Sequence, residues 1–133
     1  MKPFGFKPAG VIFDLDGTLL DTEILYTEAT QRVLDPFGFT YTMALKRRVM
    51  GGDSMRSAQI TIDEFNLPLT AIDFLKTRES FLEVLFPDAV EISNAGDYLH
   101  KMSLGQIPMG LATSSYQHLC QLKLNKRDWR AIF

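Results

Sequence analysis

Two carboxylates follow a short apolar segment near the start of the chain, in the sequence Gly10-Val11-Ile12-Phe13-Asp14-Leu15-Asp16-Gly17-Thr18-Leu19-Leu20-Asp21. The segment is dense in β-branched and aromatic residues and is flanked by glycines, a composition typical of a buried parallel strand. Asp14 ends the strand, at the edge where open α/β sheets bind ligands. Asp16 comes two residues later, so both carboxylates can face one site. Gly17 permits a sharp turn or the close approach of a ligand.

The spacing of the two carboxylates limits the chemistry of such a site. Two nearby carboxylates repel each other, and a divalent cation relieves that repulsion while it tethers an anionic substrate. A calcium-binding EF-hand loop starting at Asp14 requires glycine and glutamate where this sequence has Leu19 and Leu25. The remaining alternative is a plain loop in which one carboxylate caps the following helix, above all in the case of Asp21.

Beyond this segment, the sequence predicts an α/β fold that is interrupted by a helical block. Apolar residues recur at helical spacing through residues 22–86, and Ile107 to Ala112 has the composition of a second short strand. Because the block is too long for a simple crossover, we expect an inserted helical domain at 21–89. The core is then formed by residues 1–20 and 90–133.

Capping residues divide the helical stretches. Gly38 is expected to stop the first helix, Ser54 to cap the second at its N-terminus, and Thr70 to cap the third. A further helix is predicted from Asn94 to Leu104, closed by Gly105.

Composition excludes several classes of protein. The 133 residues include 14 basic and 16 acidic side chains, and the net charge of −2 gives no reason to expect a nucleic-acid partner. No apolar run approaches the roughly 18 residues of a membrane span, and the first eight residues lack the apolar core of a signal peptide. The single cysteine, Cys120, suits a reducing compartment. We therefore expect a soluble cytoplasmic protein that binds neither nucleic acid nor membranes.

The segment from Phe13 to Glu23 resembles the first signature of the haloacid dehalogenase-like (HAD) superfamily of phosphohydrolases. The segment Leu111-Ala112-Thr113-Ser114-Ser115 resembles the second signature, in which a hydroxyl residue ends the next core strand. The helical block between them is similar to that of the β-phosphoglucomutase-like subfamily, which has a helical cap domain at this point. The positions that carry the first resemblance are Asp14, Asp16, Gly17 and Thr18.

The resemblance implies a Rossmann-like core with an inserted helical cap, and catalysis through an aspartyl phosphate. In such enzymes Asp14 would be the nucleophile, while Asp16 would protonate the leaving group and then activate the hydrolytic water. Mg²⁺ would bind at Asp14 and Asp16, through the carboxylate of the first and the backbone carbonyl of the second. The phosphoryl group would contact Gly17, Thr18, Thr113, Ser114 and Ser115.

The substrate that the resemblance implies is a small phosphorylated metabolite, such as a sugar phosphate or a nucleoside monophosphate, including pseudouridine 5′-phosphate. A phosphomutase, which would use the same carboxylates and return the phosphoryl group to its substrate, is an alternative. The turn Val49-Met50-Gly51-Gly52-Asp53 separates two predicted helices. The resemblance implies that Gly51 faces the active site and sorts substrates, but paired glycines are equally typical of a plain turn.

Two later signatures of the superfamily, a lysine and an acidic pair, have no match before Phe133. Lys123 and Lys126 belong to the helix after Thr113 or to its end, so neither is assigned to that lysine's role, and Asp128 is more simply a helix cap. We therefore expect the N-terminal part of a longer enzyme, with little activity of its own. A catalytically inactive interaction module is the alternative. The exposed edge of the incomplete sheet is expected to be covered by another copy, a complementary fragment or a rearranged segment.

Overall fold

The computed structural model describes residues 8–133, which form two compact units. The α/β unit contains the described residues up to Glu23 together with Phe86–Phe133, and the helical unit contains Ile24–Leu85. The domain boundaries predicted from the sequence were 21 and 89.

The elements follow one another along the chain in an α/β order, interrupted by four consecutive α-helices. They are β1 (Val11–Asp14), β2 (Leu20–Asp21), α1 (Glu23–Leu34), α2 (Met43–Val49), α3 (Ser54–Phe65), α4 (Ala71–Leu85), β3 (Val90–Glu91), α5 (Ala95–Leu104), β4 (Met109–Ala112) and α6 (Gln117–Leu124). Short 3₁₀ turns lie at Asp35–Phe37, Phe86–Asp88 and Asp128–Ile132.

Strands β1 and β4 form a parallel sheet whose register sets Asp14 opposite Ala112. Because parallel strands end at the same edge of a sheet, the residues that follow both strands emerge side by side. The prediction that β1 is parallel is confirmed, but the prediction that it is buried is wrong. Ile12 is 76% exposed, because within the described residues β1 has only β4 as a neighbour.

A second pair of strands fixes the backbone just after the two carboxylates. Strands β2 and β3 are antiparallel, with Leu20 opposite Glu91 and Asp21 opposite Val90. The pairing is extended by the Ile92 N–H, which donates to the Leu19 carbonyl over 2.9 Å. Strands of two residues carry too little periodicity to be predicted from sequence.

The helical unit has an apolar core contributed mainly by α1, α3 and α4. Thr70 accepts a hydrogen bond from the Asp73 N–H over 3.1 Å, as expected of a cap. The prediction that Ser54 caps α3 is wrong by one residue. The N-cap is Asp53, whose carboxylate accepts the Arg56 N–H over 2.8 Å. The buried core residues of the helical unit are Val33, Leu34, Ala58, Ile62, Leu67, Ala71 and Phe74.

None of the helices in residues 8–133 is both long and apolar enough to cross a membrane.

Replacing Phe74 by alanine should destabilise the helical unit strongly. Phe74 is 1% exposed and packs inside this core, so Phe74→Ala removes buried apolar area and leaves a cavity. We expect a loss of about 3–5 kcal/mol in the free energy of unfolding, measured by urea denaturation. Ile72→Ala on the same helix is the control, since Ile72 is largely exposed and should change stability by no more than about 0.5 kcal/mol. Equal losses in the two variants would contradict this description of the core.

Candidate active site

The backbone makes a tight turn directly after β1. The Leu15 carbonyl accepts hydrogen bonds from the N–H groups of Leu19 and Leu20, over 3.0 and 3.1 Å, and the Gly17 N–H donates to the Leu20 carbonyl over 2.8 Å. Gly17 has a φ of +74°, and no atom lies within 4 Å of the place a Cβ would occupy. A left-handed backbone conformation of this kind favours glycine. The turn folds the chain back between Asp16 and β2.

Asp14 ends β1 as an exposed side chain. Its Oδ1 accepts the N–H of Leu15 over 2.9 Å. Within residues 8–133 its second carboxylate oxygen accepts no hydrogen bond. Asp14 therefore presents an exposed oxygen that no other described residue engages, at the edge of the sheet where β1 and β4 both end.

Asp16 is held by three side chains that come from separate parts of the chain. Its Oδ1 accepts hydrogen bonds from Thr22 Oγ1 and Lys123 Nζ, each over 2.7 Å. Its Oδ2 accepts the Ser115 hydroxyl over 3.2 Å. Lys123 Nζ also donates to Ser115 Oγ over 2.7 Å. The network links the turn after β1 to the loop after β4 and to α6.

The ionisation of Asp16 follows from this network. Burial alone would raise the pKa of its carboxyl, but the hydrogen bonds from Lys123 and Thr22, with the positive charge of Lys123, hold the pKa below its ordinary value. Asp16 is consequently a carboxylate at neutral pH, with the Lys123 ammonium as its partner.

The loop after β4 contains the predicted hydroxyl residues. Thr113 Oγ1 accepts the Ser115 N–H over 3.1 Å, which shapes the loop and leaves the Thr113 hydroxyl proton available. Ser114 is exposed, whereas the Ser115 hydroxyl is engaged with Asp16 and Lys123. Tyr116, which precedes α6, makes no side-chain hydrogen bond to cap that helix.

Thr22 and Lys123 are the residues of this network that sequence reasoning missed. Lys123 was placed on a helix with no role in the site, yet its side chain is fully buried and its Nζ lies 4.3 Å from the centroid of the Phe86 ring. A usable signal existed: Leu119 and Lys123 are four residues apart on α6 and therefore share its buried face. A lysine on an apolar helix face has to find a partner.

Thr18 and Gly51, the two remaining residues predicted to contact substrate, lie in different units. Thr18 is exposed in the turn after β1, next to Gly17. Gly51 lies in the helical unit, between α2 and α3, with a φ of +77° and open space around it.

Oxygen atoms that suit a magnesium ion are present at this edge. The Asp14 carboxylate contributes one, through the Oδ1 that accepts a single hydrogen bond, and the Asp16 backbone carbonyl, which accepts no backbone hydrogen bond from the described residues, contributes another. Among the described residues, Asp14 and Asp16 belong to no cluster of three carboxylate, histidine or cysteine side chains. Mg²⁺ needs only one or two protein carboxylates when water and phosphate supply its remaining ligands.

The sequence matches one protein family and is similar to proteins named as phosphatases. A family model described as haloacid dehalogenase-like hydrolase matches residues 11–133. A probable pseudouridine-5′-phosphatase of Drosophila melanogaster is 35% identical over 117 residues, or 88% of this chain and 51% of that protein. (DL)-glycerol-3-phosphatase 2 of Arabidopsis thaliana is 36% identical over 118 residues, or 87% and 49%.

One solved structure is similar in both sequence and fold. It is a provisionally named beta-phosphoglucomutase of Thermotoga maritima, with 31% identity and a TM-score of 0.78, over 93% of this chain and 58% of that one. The chain spans about half the length of the curated relatives it matches.

Asp16 should contribute to stability in a pH-dependent way. A carboxyl whose pKa is lower in the folded state stabilises the fold above its unfolded-state pKa of about 3.9. That contribution is lost as the pH falls through the lower folded-state pKa. Asp16→Asn should therefore be less stable than the wild type at pH 7, and the difference should narrow on acidification to about pH 2.

Urea denaturation across this pH range measures the difference. Asp88→Asn is the control, because Asp88 forms an exposed ion pair with Lys126 and such pairs contribute little. A gap between wild type and Asp16→Asn that stays constant from neutral to acid pH would contradict the assigned network.

Proposed function

Since this chain belongs to the haloacid dehalogenase-like hydrolase family, we propose that its site transfers a phosphoryl group from a small phosphorylated metabolite to water. The supporting observation is the 3.2 Å hydrogen bond between Ser115 and Asp16. It brings together, at one sheet edge, the two segments that carry carboxylates and hydroxyls. Carboxylates supply a nucleophile and a proton-transfer group, while hydroxyls bind phosphoryl oxygens.

In the proposed reaction Asp14 is the nucleophile. Its unengaged oxygen attacks phosphorus, the phosphorus–oxygen bond of the ester breaks, and Asp14 becomes phosphorylated. The departing alkoxide takes its proton through Asp16, which is a carboxylate at rest and first accepts that proton from solvent. Water then attacks the phosphorus of the intermediate, Asp16 accepts a proton from that water, and inorganic phosphate leaves with the Asp14 carboxylate restored.

Magnesium is the cofactor that we propose for this site. The Asp14 carboxylate and the Asp16 carbonyl would hold it, in agreement with the preference of Mg²⁺ for oxygen ligands. When bound, the ion offsets negative charge on the phosphoryl oxygens. The Thr113 hydroxyl, whose oxygen already accepts the Ser115 N–H, keeps its proton to donate to the phosphate. Gly17, Thr18 and Ser114 are proposed as the further contacts of the phosphoryl group.

For the substrate we propose a chemical class and not a single compound. The two curated relatives described above are named for pseudouridine 5′-phosphate and glycerol 3-phosphate, both of which are monoesters of small polar alcohols. We propose a phosphomonoester of this kind, a cytoplasmic location, and no nucleic-acid or membrane partner. The net charge of −2 agrees with the absence of a nucleic-acid partner. Self-association or a complementary fragment at the sheet edge is a separate proposal, which light scattering can test.

A phosphomutase is the second candidate, because the similar solved structure is provisionally named beta-phosphoglucomutase. A mutase uses the same aspartyl phosphate but transfers the phosphoryl group to a substrate hydroxyl. The products distinguish the two: a phosphatase releases inorganic phosphate stoichiometrically, whereas a mutase gives an isomeric phosphate ester.

Asp14→Asn should abolish turnover. An amide oxygen cannot form the acyl phosphate, so hydrolysis of glycerol 3-phosphate or pseudouridine 5′-phosphate by the full gene product should fall to background. Released phosphate and the phosphorylated protein, detected by mass spectrometry, are the measurements. Asp63→Asn is the control, since Asp63 is an exposed residue of α3 that is hydrogen-bonded to Gln59. Turnover in Asp14→Asn at the wild-type rate would refute the assignment.

Gly51 should affect substrate choice if its turn takes part in substrate selection. Gly51→Leu introduces a bulky side chain, and we expect it to change the ratio of kcat/KM for two phosphate esters while leaving the Mg²⁺ dependence unaltered. Gly38→Leu is the matched control, because Gly38 has a similar φ of +75° and similarly open surroundings, so the backbone strain is comparable. If both variants lose stability and neither changes the ratio, Gly51 belongs to a plain interhelical turn.

A further inference from the structure

Lys123 occupies an environment that is costly for a charged side chain. It has 0% exposure and lies among the most completely buried side chains of the α/β unit. An ammonium loses its hydration when buried, and only close partners offset that cost. A leucine or methionine would fill the same space without the cost of burying a charge. The partners of the Lys123 ammonium therefore indicate what the charge does.

Two of those partners belong to the proposed catalytic network. Lys123 Nζ lies 2.7 Å from Asp16 Oδ1 and 2.7 Å from Ser115 Oγ. The Phe86 ring covers the same ammonium, with its centroid 4.3 Å away, an arrangement that favours a cation. Lys123 lies in the last turn of α6, on the buried face that it shares with Leu119.

The acceptor sites on Asp16 are occupied unequally. A carboxylate oxygen has two lone-pair sites. Within residues 8–133, Oδ1 uses both sites, for Lys123 and Thr22, whereas Oδ2 accepts only the Ser115 hydroxyl, over 3.2 Å. The Asp16 side chain is 28% exposed, so water has access to it. Oδ2 is therefore the oxygen with an acceptor site left for water.

We infer that Lys123 is a positioning residue which, together with Thr22, holds Oδ1 of Asp16 and leaves Oδ2 to take the proton from the hydrolytic water. This inference rests on the proposed function. In the step concerned, a water proton passes to Oδ2 while the water oxygen bonds to phosphorus. The phosphorus–oxygen bond to Asp14 then breaks, which releases inorganic phosphate and restores the Asp14 carboxylate. Lys123 acts on this step through Asp16.

Burst kinetics with p-nitrophenyl phosphate test the inference on the full gene product in the presence of Mg²⁺. The p-nitrophenolate leaving group needs no proton from Asp16, so phosphorylation of Asp14 proceeds even when Asp16 is misplaced, and only the water step slows. Lys123→Met should release about one equivalent of p-nitrophenolate rapidly and then turn over at least about tenfold more slowly than the wild type. The KM should fall together with kcat, so that kcat/KM is nearly unchanged.

Two further variants complete the experiment. Thr22→Val removes the other hydrogen bond to Oδ1 and should give the same burst. Lys126→Met removes an exposed ammonium that is paired with Asp88 and should behave as the wild type. If circular dichroism shows that Lys123→Met does not fold, Lys123→Gln is judged by the same criteria, and if neither folds, Thr22→Val decides.

The outcomes separate the inference from the proposed function. A wild-type protein that releases no p-nitrophenolate contradicts the proposed function, and the inference with it. A wild-type protein that turns over, beside a Lys123 variant that shows no burst or loses kcat and kcat/KM together, overturns the inference alone, because Lys123 then serves only structure. A burst that appears in Lys126→Met as well overturns it in the same way.

Discussion

The parallel pairing of β1 with β4 is the contact on which the whole site depends. It aligns Asp14 with Ala112, so the residues that leave each strand emerge at one edge. The Ser115–Asp16 hydrogen bond, between residues 99 positions apart, exists only because that register is kept. A slip by one residue would turn every side chain of β1 to the opposite face. The geometry of the candidate site and the strand register are therefore one constraint in this molecule.

The buried Lys123 ammonium is a second constraint on the site, and by itself it disfavours folding. Burying it opposes folding, and its pairing with Asp16 offsets that cost only while both partners are present. A network of this kind does little for net stability, but it gives the Asp16 carboxylate a defined orientation. The core of the helical unit is apolar, and its helices begin at ordinary caps such as Thr70.

Local patterns in the sequence were sufficient to predict part of this arrangement. The strand that ends at Asp14 and the helices with regular apolar spacing could be predicted, because both signals lie within a few adjacent residues. Strands β2 and β3 could not, since two-residue strands have no periodicity. Asp16 was identified by its spacing from Asp14, but its partner Lys123 is 107 positions away, and only the folded chain brings them together. The exposure of Ile12 was missed because burial depends on neighbouring strands, which a strand's own composition does not reveal.

The claim that Asp14 receives the phosphoryl group can be tested without a substrate. Beryllium fluoride binds to a carboxylate as a mimic of an acyl phosphate, and ¹⁹F NMR separates its bound form from its free form. For the full gene product, we predict a bound ¹⁹F signal that requires Mg²⁺, disappears in Asp14→Asn and is retained in Asp63→Asn. A bound signal that persists in Asp14→Asn would contradict the account, because the acceptor of the phosphoryl group would then lie elsewhere.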